Sequence, residues 1–169
     1  MFILRNIPTR EAIEAFARHV PEVDPSAAES SLLLLRVASD LLDAFETHFA
    51  RHGLSMGRFG ILMYLFRAPK HCLSPADLAN RAGVTRAPVT GLLDGLARQG
   101  LVEGRPHEAG RRKVNVLLTP KGLGLLKGLF PEHFGRIAGL MRHLSEAERK
   151  SLIRLLGKVL AGIPAVRDA

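Results

Sequence analysis

The segment PADLANRAGVTRAPVTGLL, residues 75–93, constrains the fold more than any other part of the 169-residue chain. We expect the small Ala79 where two helices approach closely, and Gly83, four residues later, permits a sharp turn between them. Three apolar side chains are predicted to point back between the helices: Val84, Val89 and Leu92. This spacing is typical of a helix-turn-helix, although an ordinary helical corner with the same small residues would share it.

Hydroxyl residues mark several helix starts. In two of them a serine is followed three residues later by a glutamate, as in a capping box: Ser26 with Glu29, and Ser145 with Glu148. Ser74 and Thr119 each precede a proline at the first helical position, and Thr9 is a plainer cap. Apolar periodicity then predicts helices at about 26–52, 56–66, 74–82 and 85–99, with two more after residue 119.

A β-hairpin is predicted directly after the helix-turn-helix. Branched residues dominate 101–105 and 113–118, and the intervening GRPHEAG has the composition of a turn. Arg111, Arg112 and Lys113 follow that turn as a cationic run. A helix-turn-helix followed by such a wing reads one DNA groove with its second helix, while the wing reaches neighbouring phosphates or the minor groove.

Charge is distributed unevenly along the chain, whose formal net charge is +8. Residues 1–80 carry 8 Lys/Arg against 9 Asp/Glu, whereas residues 81–169 carry 16 against 7. This asymmetry favours an anionic polymer or surface as partner. No apolar stretch approaches the roughly 20 residues of a membrane-spanning helix, and the start MFILRNIP does not fit a secretory signal. We therefore expect a cytoplasmic protein without a membrane partner.

The order of elements, the segment GLVEGR and the segment RRKVNVLLTPKG together resemble the multiple antibiotic resistance regulator (MarR) family of winged-helix transcription factors. The resemblance implies a mainly α fold with a small β-hairpin wing, an α+β winged helix-turn-helix. An N-terminal arm and short helix over 1–25 would precede the MarR-type domain of 26–169. That domain would comprise a DNA-binding head at about 55–118 and dimerisation helices at about 26–52 and 119–163. The resemblance further implies a homodimer on a palindromic double-stranded DNA site.

Individual positions also carry over from this resemblance. The predicted DNA-binding residues are Thr85, Arg86, Ala87, Thr90 and Arg98 of the recognition helix and Arg111, Arg112 and Lys113 of the wing. Three glycines depart from the family pattern. Gly110 stands where an aspartate usually braces the wing, and Gly91 and Gly95 stand where arginines often contact phosphates. We expect other arginines to compensate: Arg81, Arg98 and Arg105.

In related regulators a small aromatic or phenolic ligand binds between the dimerisation helices and the head. The residues predicted to line such a pocket are His48, His52, Met56, Arg58, Phe59 and Met63, with a core role favoured for Phe59 and Met63. The urate-responsive members use a tryptophan, which this chain lacks. The single cysteine, Cys72, is expected to be an inert loop or core residue, and its position disfavours peroxide sensing.

Neither a metal site nor an enzyme is predicted. His48 and His52 share a helix face, but a zinc site needs three or four ligands and no third is suggested nearby. Motifs of zinc peptidases and phosphate-binding loops are absent from the sequence. We expect no catalysis and no cofactor.

The sequence thus predicts a homodimeric, sequence-specific DNA-binding transcriptional regulator, a repressor released by a small ligand. The alternative is a winged-helix ligand-binding or protein-interaction module that has lost specific DNA recognition, which Gly91, Gly95 and Gly110 suggest. A metal-dependent enzyme is the least favoured reading.

Overall fold

The computed structural model describes residues 6–107 and 110–167, and the side chains of residues 106–114 lie outside that description. Within these ranges the order of elements is α1 (Arg10–Ala17), α2 (Pro25–Ala50), α3 (Met56–Arg67), a 3-10 turn (Pro69–His71), β1 (Cys72–Leu73), α4 (Pro75–Ala82), α5 (Arg86–Arg98), β2 (Val102–His107), β3 (Gly110–Leu118), α6 (Pro120–Leu140), α7 (Glu146–Gly162) and α8 (Pro164–Arg167). The predicted fold class, mainly helical with a small β-hairpin, is confirmed.

The start of α2 corrects one prediction. Asp24, rather than Ser26, is the N-cap, and its Oδ1 accepts hydrogen bonds from the backbone amides of Ser26 at 2.8 Å and Ala27 at 3.1 Å. Donation from the Ser26 hydroxyl, together with these amides, lowers the pKa of the Asp24 carboxyl. Glu29 instead accepts from Arg10 of α1 at 3.1 Å. The proposed Ser26–Glu29 box was wrong because Pro25 takes the first helical position and leaves the cap to Asp24.

The other helix starts that can be compared confirm the sequence reading. The Thr9 hydroxyl accepts from the Ala12 amide at 3.3 Å. Ser145 and Glu148 form a reciprocal capping box: the Glu148 amide donates to Ser145 Oγ at 3.3 Å, and the Ser145 amide donates to Glu148 Oε2 at 2.7 Å. Each of these bonds satisfies an amide that the helix itself leaves without an acceptor.

The strands form one antiparallel sheet in the order β1-β3-β2. β1 pairs Cys72 with Leu117 and Leu73 with Val116. This strand was not predicted, because two residues carry no periodicity from which a strand can be recognised. Cys72, expected in a loop or the core, lies in β1 and is partly buried.

The hairpin is longer than predicted. Gly104 pairs with Val116 and Arg105 with Asn115, as the predicted first strand requires. Pro106 also pairs with Val114 and His107 with Gly110, so the prediction of a turn at these three positions, Pro106, His107 and Gly110, was wrong. Pro106 is tolerated because β2 is an outer strand, where a missing amide breaks no ladder on the side away from β3. The hairpin tip, residues 108 and 109, lies outside the described residues.

The chain divides into two compact units, Met1–Thr119 and Pro120–Ala169. In the first, α3 packs against α2, α4, α5 and β3. The fully buried side chains of this unit include Ile61, Leu62, Leu65, Leu78, Val89 and Leu96. In the second, α6 continues through Pro131. Over the described residues, no helix is both long enough and apolar enough to cross a membrane.

Candidate nucleic-acid interface

The helix-turn-helix is built by α4 and α5, which meet at Gly83. Gly83 has φ +65°, a left-handed conformation that glycine adopts without steric cost. The Val84 amide donates to the Ala79 carbonyl at 3.1 Å, which closes the end of α4. Ala79 and Val89 are buried as predicted, and Leu92 is partly buried. Val84 is 47% exposed, so its inward placement was wrong: the chain leaves the axis of α4 at Gly83 and carries Val84 to the outside of the corner.

Two contacts hold α4 in place. Ser74 caps the helix as predicted: the Asp77 amide donates to Ser74 Oγ at 3.1 Å, and the Ser74 hydroxyl donates to Asp77 Oδ2 at 2.7 Å. That hydroxyl bond lowers the pKa of the Asp77 carboxyl. At the other end the Tyr64 hydroxyl of α3 donates to the Arg81 carbonyl at 2.9 Å. Sequence reasoning missed Tyr64, because its partner is a backbone atom seventeen residues away.

The first turn of α5 is exposed. Thr85 is the N-cap, and its side chain makes no capping hydrogen bond. Thr85, Arg86, Ala87, Thr90 and Arg98, the predicted recognition-helix residues, are all exposed. The Thr90 hydroxyl donates to the Arg86 carbonyl at 3.2 Å, which leaves its oxygen lone pairs available. A helix N-terminus without a side-chain cap presents backbone amides and a positive dipole end to an anion.

Hydrogen bonds hold the base of the hairpin, and the sequence of β3 carries three cations. The Thr119 hydroxyl donates to the carbonyls of Gly100 at 2.8 Å and Leu101 at 3.1 Å. Arg105, expected to supply compensating charge, forms an exposed ion pair with Glu103 at 3.0 Å. The backbone of β3 includes the predicted wing cations, but their side chains lie outside the described residues: Arg111, Arg112 and Lys113. Gly110 begins β3 and pairs with His107.

The two glycines of α5 occupy different environments. Gly91 is exposed, and a Cβ added there would meet no atom within 4 Å. Gly95 is buried, and a Cβ added there would overlap the guanidinium of Arg58 from α3. Gly95, which stands where related regulators often carry an arginine, is here covered by a side chain from another helix.

The predicted ligand-pocket residues separate into two groups. His48 is buried at the end of α2, with its ring centroid 5.1 Å from Phe49 and 5.3 Å from His52. Phe59 of α3 stacks on Phe49 at 4.2 Å. The structure thus brings His48, His52 and Phe59 close to Phe49. Phe49 was not among the predicted pocket residues.

The remaining predicted pocket residues lie on α3. Met56 is exposed, and its amide donates to Glu46 Oε2 at 2.8 Å. Met63 is partly buried. The guanidinium of Arg58 lies against α5.

Comparisons with known proteins place this architecture in a family. A sequence model described as the MarR family matches residues 52–113. The transcriptional repressor YetL of Bacillus subtilis (strain 168) is 37% identical over 165 residues, covering 98% of this chain and 99% of YetL.

Two solved structures share the fold. Sco3205, a MarR family regulator from Streptomyces coelicolor solved in complex with DNA, superposes with a TM-score of 0.69 at 20% identity, covering 93% of this chain and 89% of its own. BpsR of Bordetella bronchiseptica, whose DNA binding is regulated by 6-hydroxynicotinic acid, has a TM-score of 0.66 at 26% identity, covering 78% of this chain and 98% of its own. Since YetL matches almost the full length of both chains, this protein belongs to the MarR family of transcriptional regulators, which are not enzymes.

Proposed function

We propose that this protein is a homodimeric, sequence-specific DNA-binding repressor that acts in the cytoplasm and is released by a small ligand. The observation that carries the proposal is the exposed start of α5, where Arg86 and Thr90 accompany uncapped backbone amides. The β2–β3 hairpin follows α5 directly in the chain. An α-helix fits the major groove, and its first residues are the ones that reach base edges.

The homodimer is supported by apolar side chains that a single chain leaves in water. On α2, Leu33, Leu35 and Val37 are each more than half exposed. On α7, Ile153 and Leu160 are 71% and 67% exposed. Groups of large exposed apolar side chains of this kind are typical of interaction sites. We assign both faces to a second copy of the chain, so that two heads bind a palindrome with half-sites about 10 base pairs apart.

A ligand that releases the repressor is supported by the rings around Phe49. His48, His52 and Phe59 gather close to Phe49, and aromatic rings of this kind stack with small aromatic or phenolic molecules. The relative BpsR, whose DNA binding is regulated by 6-hydroxynicotinic acid, makes an aromatic ligand the natural class to test.

Selection of bound duplexes from a random DNA pool tests the function directly. A recovered palindrome, bound less tightly by Arg86→Ala, is the expected result. Binding that depends on salt but not on base sequence would favour the alternative module that has lost specific recognition. Addition of 6-hydroxynicotinic acid and simple phenols to the bound complex then tests ligand release.

The wing gives a separate prediction. Arg112→Ala should weaken binding to all sequences and lower the slope of log K against log salt by about 0.9 for each protomer, because one fewer counterion is displaced. Affinity measured at several salt concentrations checks this, with the exposed Lys158→Ala on α7 as a control that leaves the slope unchanged. An unchanged slope in Arg112→Ala would show that Arg112 does not contact phosphate.

A further inference from the structure

Helices α3 and α5 approach one another at two glycines, one on each helix. A Cβ added to Gly57 of α3 would come within 3.3 Å of both Leu92 methyl carbons of α5. A Cβ added to Gly95 of α5 would lie 2.8 Å from Arg58 Cζ and Nε, closer than such atoms approach in proteins. Each helix therefore lays one side chain over the glycine of the other. The Arg58 guanidinium lies over Gly95 in this crossing.

Among residues 6–105 and 115–167, whose side chains the structure describes, no ion pair or side-chain hydrogen bond involves the Arg58 guanidinium. Asp94, the neighbour of Gly95, does not pair with it. The side chain is partly exposed. A guanidinium held in this way keeps its charge and its donors for an external anion, and it fits phosphate through two parallel hydrogen bonds.

Helix α5 needs such a cation, because it carries few of its own. Arg86 begins the helix and Arg98 ends it, and Asp94 is the one charged residue between them. The two arginines are twelve positions apart, about 18 Å along the axis, or about five base-pair steps of 3.4 Å. Residues four apart share a helix face, so the notch at Gly95 lies one turn from the exposed, open position of Gly91.

We propose that Arg58 contacts a DNA backbone phosphate from α3 beside the C-terminal end of α5, close to Arg98, and that Gly95 is the notch over which its guanidinium lies. The inference rests on the proposed DNA-binding function. The inference explains why position 95 is a glycine. Because α5 has no side chain there, the neighbouring helix α3 can supply the charge. A larger residue at position 95 would push that charge away from the helix.

Salt-dependent binding of Arg58 variants tests the contact on a duplex that carries the selected palindrome. Arg58→Gln should weaken binding roughly tenfold and lower the salt slope by about 0.9 for each protomer. Arg58→Lys keeps the charge and should keep the slope. Arg67→Gln, which removes an exposed arginine from the end of the same helix, is the matched control and should change neither quantity.

The notch is tested by Gly95→Ala in two backgrounds. In the wild-type background the new methyl group displaces the guanidinium, so affinity should fall although alanine favours the helix more than glycine does. In the Arg58→Gln background the same change should cost no further affinity. Thermal melting confirms that each variant is folded; if Arg58→Gln is not, Arg58→Met, which keeps the apolar stem, replaces it.

The outcomes separate the inference from the function on which it rests. If the wild type recovers no palindrome, the proposed function fails. If the wild type binds its palindrome and Arg58→Gln behaves like Arg67→Gln, Arg58 makes no contact and the inference is overturned. Weaker binding with an unchanged salt slope would also overturn it, because Arg58 would then only pack between the two helices.

Discussion

Helices α3 and α7 are both rich in apolar residues, but they differ in how much of their apolar side chains is buried. α3 buries Ile61, Leu62 and Leu65. α7 has no buried residue, and Ile153 and Leu160 remain largely exposed. Apolar surface left in water forgoes roughly 25 cal/mol for each Å². The difference shows that α3 completes its packing within one chain, whereas α7 leaves an apolar face exposed.

The largest expected effect comes from a charge introduced on the exposed apolar face of α7. Leu160→Glu places a carboxylate in the proposed dimer interface, where burial without a partner is strongly unfavourable. The variant should sediment at half the mass of the wild type and lose palindrome binding. Arg154→Glu introduces the same group on the polar side of α7 and should leave the mass unchanged. Dimers of both variants at equal concentration would show that α7 does not form the interface.

A smaller effect is expected from a cavity among the buried side chains of α3. Leu62 is fully buried in α3, so Leu62→Ala should lower the free energy of unfolding by about 2–5 kcal/mol, through lost transfer energy and an unfilled cavity. Urea unfolding at fixed protein concentration measures this. Leu35→Ala, on the exposed part of α2, removes the same atoms. Leu62→Ala should lower the free energy of unfolding more than Leu35→Ala does in monomeric protein. Equal losses would contradict the difference between buried and exposed leucines.

The smallest effect should come from the cap of α4 beside the core of α3. Ser74→Ala removes the acceptor for the Asp77 amide and should cost about 1 kcal/mol. The pKa of Asp77 is lowered in the fold, so its contribution is present above the unfolded pKa and lost as pH falls through the folded pKa. Wild-type protein should therefore lose more stability on acidification than Ser74→Ala. Parallel acid titrations of the two proteins, followed by thermal melting, would reveal identical losses if the cap were irrelevant.

Local sequence signals predicted the corner of the helix-turn-helix well. The contacts made by Gly83, Ser74 and Ala79 are with residues only a few positions away. Spacing along the sequence is therefore enough to predict their roles. The N-cap of α2 was misread because two acceptors, Asp24 and Ser26, lie close together and only the backbone decides between them. The wing was predicted too short because pairing with β3 extends a strand through residues of turn-like composition.

The candidate site shows the same division. The exposed start of α5 was predicted from the motif, and Thr85, Arg86 and Thr90 lie on the surface. The contact of Arg58 with Gly95 joins residues 37 positions apart and was not predicted. The available signal was a glycine in each helix, Gly57 in α3 and Gly95 in α5, since small residues permit close approach.

The sequence by itself determined the helical turn motif, most helix boundaries and the family, because each depends on short-range periodicity, capping and resemblance. Only the tertiary structure decided that Val84 faces outward, that two residues at Cys72 add a strand, and that Gly95 holds an arginine from another helix. These outcomes depend on which distant backbone segments meet. A one-dimensional pattern records which side of a helix is apolar, but it does not record what comes to lie against it.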